Sequence, residues 1–241
     1  MKKLLAPFFY AFLRLHLAAH AFILKKFVLN FGAKKNETLL KQYLCVDHET
    51  RSAVLAKWGI PLYGVHPKNV FNYRKEFFLD HVNATSVVLD IGCGSGRLLE
   101  ALSGKIKFGY GIDLHAPRLS VEKNNLKFVT GDVLSFDYKK FQQEVHYNTA
   151  IFSHILEHIE NPVALLKAIG AENVLVCVPS EENWLTQLKI NYKLPYLTDP
   201  THFCEYSRER LRKILVDAGY EVSFIGFNAE GELIGRGQCQ K

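Results

Sequence analysis

The sequence predicts an α/β protein: a doubly wound, mostly parallel sheet of seven strands that ends in an antiparallel hairpin, with a helical arm ahead of it. Three observations predict this. Residues 85–91 (TSVVLDI) form a short β-branched run that passes directly into Gly92-Cys93-Gly94-Ser95-Gly96 and a helical LLEALSG. Strand, glycine loop and helix in that order open a doubly wound unit. Strand-like and helix-like segments then alternate as far as residue 218, and two further strand-like segments, 220–227 and 231–238, are separated only by a short turn. With 48% hydrophobic and 22% charged residues among 241, the composition excludes wholesale disorder and fibrous repeats. The length suffices for a large core without metal or disulfide staples.

Taken in order, residues 1–58 read as a basic, apolar helical arm and residues 59–241 as the globular domain. Residues 4–31 are far more apolar than the rest. On a helix from about residue 8, His16, His20, Lys26 and Asn30 share one stripe, with Arg14 and Lys25 opposite. Several readings of the arm stay open. Lys2 and Lys3, an apolar run and Ala19-His20-Ala21 look like a secretory signal, which Arg14 and His16 interrupt. A spanning helix needs roughly 20 nearly uncharged residues, whereas the arm's longest stretches free of Lys and Arg, 4–13 and 15–24, are ten residues each, the second with two His. Otherwise the arm lies on an anionic membrane surface, or packs on the domain as a lid or a buried helix.

Residues 36–65 predict a capped helix and a Gly/Pro break, and 68–82 a helix. In the domain, 85–91, 108–113, 126–132, 148–152 and 173–179 read as five strands, and 116–124 as a helix between the second and third. A helix with Pro162 in its first turn follows the fourth strand. Residues 207–218 form a helix capped by Ser207 and ended by Gly219.

Charge separates the two parts. Lys plus Arg is 30 and Asp plus Glu is 24, but residues 1–35 hold seven basic residues and no acid, leaving 23 basic against 24 acidic elsewhere. Basicity belongs to the arm, so the domain is not read as a nucleic-acid binder. The five cysteines (45, 93, 177, 204, 239) are odd in number, widely spaced and without C-x-x-C. This argues against a disulfide framework and structural zinc and fits a reducing, cytoplasmic setting, or the inner face of the membrane if the arm binds lipid.

The chemistry centres on the glycine loop. Glycines let a ligand approach the backbone closely, and the following helix offers free N–H groups to a carboxylate or phosphate. Ligands of such sheets bind beyond the carboxyl ends of the strands. A nicotinamide dinucleotide loop reads G-x-G-x-x-G; here the third glycine comes too early, and Asp90 stands where such loops need an apolar residue. The pattern D-x-G-x-G-x-G within VLDIGCGSGRLLEAL instead resembles the first motif of class I S-adenosylmethionine-dependent methyltransferases, which have a Rossmann-like fold. That resemblance implies S-adenosyl-L-methionine as the cofactor. It further implies that Asp113, 23 residues after Asp90 and followed by Leu114, accepts from the ribose hydroxyls, and that Asp132 accepts from the adenine amino group while the N–H of Val133 faces the ring. Both roles need an acceptor-only side chain. The plain alternative is a turn cap after each strand, which three acids at successive strand ends disfavour. The implied cofactor-binding set is Asp90, Gly92, Cys93, Gly94, Gly96, Asp113, Leu114, Asp132, Val133 and Ser153.

Residues 152–162 (FSHILEHIENP) are similar to the S-x-x-L-E-H-I-x-x-P stretch of the small-molecule branch of these enzymes. The N/D-P-P-Y/F of base N-methylation is absent. His66-Pro67-Lys68-Asn69 with Tyr73-Arg74, Trp184, Asp199-Pro200-Thr201-His202, Glu205-Tyr206-Ser207 and Gly231-Glu232 resemble a group of bacterial and archaeal type-11/23 methyltransferases. The catalytic candidates are His154, His158 and His202 as bases, with Glu157 as orienter or carboxylate base. Capping at a helix start is the plain alternative for residues 154–158. The Glu157-His158 pair is also similar to the metal-binding part of the ubiquinone O-methyltransferase motif, but His154 stands where that family has Glu, and no metal is expected. The expected function is methyl transfer to an oxygen of a small-molecule, lipid-linked or glycan acceptor. The alternatives are a non-catalytic binding protein of the same fold and an NAD-dependent oxidoreductase.

Overall fold

The computed structural model describes residues 73–115, 123–228 and 231–240. The arm, the helix and break expected over 36–65, and most of the helix expected over 116–124 lie outside the described residues. The elements are α1 (Tyr73–His81), β1 (Val87–Ile91), α2 (Arg97–Leu102), β2 (Phe108–Asp113), β3 (Leu126–Thr130), α3 (Tyr138–Val145), β4 (Thr149–Ser153), a 3-10 turn (Leu156–His158), α4 (Pro162–Ile169), β5 (Asn173–Val178), α5 (Trp184–Asn191), α6 (Arg208–Asp217), β6 (Tyr220–Phe227) and β7 (Leu233–Cys239).

The strands form one seven-stranded sheet in the order β3-β2-β1-β4-β5-β7-β6. β1 to β5 are parallel, and β7 runs antiparallel to both β5 and β6. The expected hairpin is present, with its second strand inserted between β5 and β6. The chain leaves β1 for β2 on one side and later returns to place β4 on the other. This reversal of direction is where a doubly wound sheet opens a crevice.

Side-chain alternation divides the interior between the two faces of the sheet. Leu89 and Ile91 of β1, Phe152 of β4 and Val174 and Val176 of β5 join one apolar cluster, which takes in Phe141, Leu165, Leu166 and Leu211 from α3, α4 and α6. Val88, Ile151, Leu175 and Cys177 face the other way, onto Phe77 and Phe78 of α1 and Leu99 and Leu102 of α2. Asp90 shares the parity of Val88, so an acid occupies a core position at the end of β1.

Local signals fix the helix ends. Asn161 accepts from the N–H of Ala164 at 3.1 Å with Pro162 in the first turn, and Ser207 accepts from Arg210 N–H at 3.1 Å. Two helices, α3 and α5, were not anticipated. α3 (YKKFQQEV) is short and mostly polar; it starts where Asp137 accepts from Lys140 N–H at 2.9 Å, and it buries only Tyr138 and Phe141. Two buried residues in eight give too weak a periodicity to read, and tertiary packing supplies the rest.

Where β2 faces the glycine loop, a Cβ on Gly111 would lie 2.6 Å from the Phe128 ring and 2.7 Å from Cys93 Sγ. The Gly111→Ala variant is expected to lose about 1–3 kcal/mol of stability through overpacking. Gly104→Ala, which meets nothing within 4 Å, should stay within about 0.5 kcal/mol of the parent. Urea melts of the two variants check this.

Candidate functional site

The glycine loop turns from β1 into α2 through three left-handed residues, Gly92, Gly94 and Gly96, with φ of +66°, +53° and +76°. Only glycine adopts such a run without strain. Two bonds tie the loop to β2: Cys93 N–H donates to the Ile112 carbonyl at 3.0 Å, and Gly94 N–H donates to Asp113 Oδ2 at 2.8 Å. A Cβ on Gly92 would approach Ile155 Cδ1 to 2.8 Å, so the segment after β4 packs directly against the loop.

Asp90, Gly92, Cys93, Gly94 and Ser153 line one crevice, joined by Arg74 from α1. Asp113 closes it through Gly94, while its Oδ1 accepts from His115 N–H at 3.0 Å. A carboxylate has about four acceptor positions, so each Asp113 oxygen keeps capacity for a ligand hydroxyl. Gly96 caps α2 without a side chain. Asp132 follows β3 and accepts from Leu134 N–H at 2.9 Å. Val133 is buried and its carbonyl accepts from the Tyr138 hydroxyl at 2.8 Å. Asp132, Val133 and the exposed Leu114 sit at the tips of β2 and β3, beside the crevice wall and not in it.

Asp90 tests what this crevice suits. It is 2% exposed and lies between Gly111 of β2 and Ile151 of β4. Burial first, and then the nearby Asp113, push its pKa up to about 8. Burial also raises the Cys93 thiol, which is therefore no nucleophile. A desolvated acid beside a second acid favours a cationic ligand. S-adenosylmethionine, with its sulfonium and ammonium groups, has that chemistry.

A second centre adjoins Ser153. His154 takes a left-handed backbone (φ 56°), unusual for a residue with a side chain. Its Nδ1 lies 3.2 Å from Glu157 Oε1 and its Nε2 lies 2.9 Å from Glu232 Oε1. Both are charge contacts without hydrogen-bond alignment. Burial lowers the His154 pKa, but the two carboxylates together outweigh it and the net direction is upward. His154 thus favours the imidazolium form, which suits a fixed cation and not a base. Glu232 also takes a two-point pair from Arg74, at 2.8 Å (Nε) and 2.6 Å, and a bond from Asn228 Nδ2 at 2.9 Å. Burial would raise its carboxyl, but His154 and Arg74 hold it far below the usual carboxylate range.

Glu157 is completely buried, and neither oxygen has a hydrogen-bond partner among the described residues. The His158 and His202 rings lie edge to face with centroids 4.6 Å apart. Thr201 Oγ1 is 3.0 Å from His158 Nδ1. Burial lowers the His202 pKa, partly opposed by Glu157, so at neutral pH this imidazole is free to accept a proton. Glu205 lies behind it, also buried, its carboxyl raised by burial.

The four catalytic candidates therefore separate. Glu157, His158 and His202 gather with donor atoms within 4.8 Å of one another, and His154 braces Glu157 from behind. His154, Cys177 and Glu232 converge as closely, but Arg74 and the His154 imidazolium already claim that carboxylate. The Glu157 group is the set whose chemistry suits a divalent transition metal. Arg74 and Glu232 were visible as motif residues, but nothing along the chain signals a pair 158 positions apart. The side chain of Trp184 lies outside the described residues.

The profile of a family described as a methyltransferase domain matches residues 67–223. A ubiquinone biosynthesis O-methyltransferase of Idiomarina loihiensis is 27% identical over 124 residues, covering 48% of this chain and 51% of that protein. The protein of the same name from Nitrosomonas europaea is 25% identical over 133 residues, covering 51% and 55%. The chain spans about half the length of these curated relatives. Among solved structures, the small RNA methyltransferase HEN1 superposes with a TM-score of 0.54 at 23% identity, covering 70% of this chain and 25% of that one. A 1,6-didemethyltoxoflavin-N1-methyltransferase of Burkholderia thailandensis, with 1,6-didemethyltoxoflavin and S-adenosylhomocysteine bound, gives 0.54 at 14% identity over 83% of this chain and 90% of that one. These structural likenesses show a shared fold.

Asp90 sets a pH dependence of stability. Its folded pKa stands above the unfolded 3.8, so its favourable contribution is complete below about pH 4 and is lost as pH rises toward 8. Urea midpoints of wild type and Asp90→Asn are therefore expected to diverge in favour of the variant between pH 5 and pH 8. Parallel curves would show that Asp90 is not desolvated.

Proposed function

The chain belongs to the methyltransferase-domain family, class I and S-adenosylmethionine-dependent, and from that premise we propose that it methylates an oxygen of a small-molecule acceptor. The acceptor class includes lipid-linked precursors and glycans; the basic, apolar residues 1–35 motivate the lipid-linked version. One observation carries the oxygen assignment: the buried Glu157 carboxylate, which accepts no hydrogen bond among the described residues, beside His158 and His202 and adjoining the crevice at Ser153. A neutral amine can attack with its own lone pair, whereas a hydroxyl must lose a proton. The equipment gathered here handles a proton.

In this reading the glycine loop and Ser153 hold the methionine portion of the cofactor. Asp113 accepts from the ribose hydroxyls, and Asp132 with the Val133 N–H reads the adenine. The cofactor, when bound, supplies a methyl group already activated on a sulfonium. The protein's share is to orient the acceptor oxygen in line with it, which depends on separations of about 3–3.5 Å, and to exclude water. His202, held neutral by burial, takes the hydroxyl proton, and Glu157 stabilises the imidazolium that results. Such base assistance contributes roughly 10²–10⁴-fold.

Calorimetry is expected to show binding of S-adenosylmethionine that Asp113→Ala abolishes. Once an acceptor is in hand, the acid limb of kcat should lie below pH 6.5, because His202 is held below the ordinary histidine value, and His202→Gln should cost about 10²–10⁴-fold in kcat without changing cofactor affinity. No binding of S-adenosylmethionine would remove this reading.

The open acceptor positions of Glu157 also favour a second reading, in which Glu157, His158 and His202 hold a divalent transition ion. An ion there would act as a Lewis acid and lower the acceptor hydroxyl's pKa. The measurement is metal content of the purified protein: about one ion per chain, lost in His158→Ala, favours this reading, and metal-free protein that retains activity in a chelator excludes it.

A further inference from the structure

We propose that Asp199 and Thr201 are positioning residues for His158: a hydrogen-bonded relay fixes its ring with the proton on Nδ1 and leaves Nε2 as the lone pair that it offers to the Glu157 centre. The inference rests on Glu157, His158 and His202 being the reacting centre. Asp199-Pro200-Thr201-His202 is one of the motifs along the chain, and the methyl-transfer reading uses only its last residue.

These residues form one turn. His202 N–H donates to the Asp199 carbonyl at 3.2 Å, and Phe203 N–H donates to the Glu157 carbonyl at 2.8 Å. The turn that delivers His202 is thereby stitched to the 3-10 turn that carries Glu157 and His158. Asp199 Oδ1 accepts twice from Thr201, from the N–H at 2.8 Å and from the hydroxyl at 2.6 Å. Thr201 Oγ1 also lies 3.0 Å from His158 Nδ1.

Counting protons assigns the direction of each bond. A threonine hydroxyl has one proton and two lone pairs, and an ionised carboxylate only accepts. The 2.6 Å separation is that of a charge-assisted bond from a hydroxyl to a carboxylate, so the hydroxyl proton points at Asp199. Turned the other way, the two oxygens would meet with lone pairs only. The Thr201 oxygen then has nothing but a lone pair for His158, and the 3.0 Å contact requires a proton on Nδ1. In a neutral imidazole the other nitrogen is then bare. The His202 ring packs edge to face on the His158 ring, and a flip of the His158 ring would forfeit the Thr201 bond.

Among the described residues His202 has no such lock. Its Nδ1 is 3.5 Å from Thr198 Oγ1 and 3.9 Å from Glu205 Oε1, both long for a hydrogen bond. The two imidazoles therefore differ in kind. A ring free to choose its tautomer suits the group that takes up a proton and gives it away. A ring whose lone pair is fixed suits an anchor for an electron-poor partner, which is a hydroxyl of the bound acceptor or a divalent ion. Outer groups that orient an imidazole in this way are worth about 10–100-fold in activity or metal affinity.

The test is proton–nitrogen correlation NMR of the full chain carrying isotope-labelled histidine, at a pH where the imidazolium signal of His158 is gone, with the ring assigned by its loss in His158→Gln. Wild type is expected to show a protonated Nδ1 and a bare Nε2 at His158. Thr201→Val removes the hydroxyl and keeps the shape, and is expected to return the ring to a mixture of tautomers. Thr201→Ser is expected to restore the single form. Zinc chloride added to wild type distinguishes the two partners. A shift at Nε2 with the Nδ1 proton retained assigns the lone pair to an ion, no shift assigns it to an acceptor hydroxyl, and binding through Nδ1 overturns the proposal. Once an acceptor is in hand, Thr201→Val should lower kcat about 10–100-fold without changing cofactor affinity, and Thr201→Ser should recover it. A proton on Nε2 in wild type, an unchanged single tautomer in Thr201→Val, or an unchanged kcat in that variant overturns the proposal. The tautomer is read without cofactor or acceptor, so this result is separate from the binding of S-adenosylmethionine, whose failure removes the methyl-transfer reading.

Discussion

A parallel sheet delivers its strand ends to one edge, and here three of those ends carry acids. The spacing between strands is fixed by their hydrogen bonds, so Asp90 and Asp113 are held close while packing denies Asp90 to water. That constraint orders much of what surrounds it. The glycine loop bends so that its own N–H bonds Asp113, and Gly111 keeps space beside Asp90 for Cys93. A crevice lined by an uncompensated acid is complementary to a cation before any ligand arrives, which is preorganisation in the ordinary sense: the unfavourable electrostatics are met in folding and released in binding.

The second centre obeys the opposite rule. Arg74, Glu232, His154 and Glu157 alternate in sign across four separate elements. Within such a chain each buried charge has a counter-charge, and removing one member strands its neighbours. The series stops at Glu157, whose oxygens lack hydrogen bonds. The unfinished end faces His158 and His202, so the arrangement is complete everywhere except where chemistry is expected.

Much of this was legible along the chain. The strand, glycine loop and acid series are local, and their periodicity and spacing survive in one dimension. β2 and β6 fall where alternation put them, and the Asn161 and Ser207 caps bond as their types require. α3 escaped notice because its apolar face is two residues wide. The distinction between His154 and His202 escaped for a deeper reason. Both are histidines near acids in sequence, yet one is clamped between two carboxylates and the other is desolvated beside a second imidazole. Protonation depends on neighbours from β4, the 3-10 turn, the β6–β7 turn and the loop before α6, and no spacing rule connects those segments.

The antiparallel direction of β7 has a consequence for how the molecule comes into being. Because this strand runs against β5, it is the beginning of β7, with Glu232 just ahead of it, that reaches the working edge of the sheet. Arg74 therefore pairs with a carboxylate that the chain reaches only after β6. The alternating charge series that runs through Glu232 is thus completed only late in synthesis.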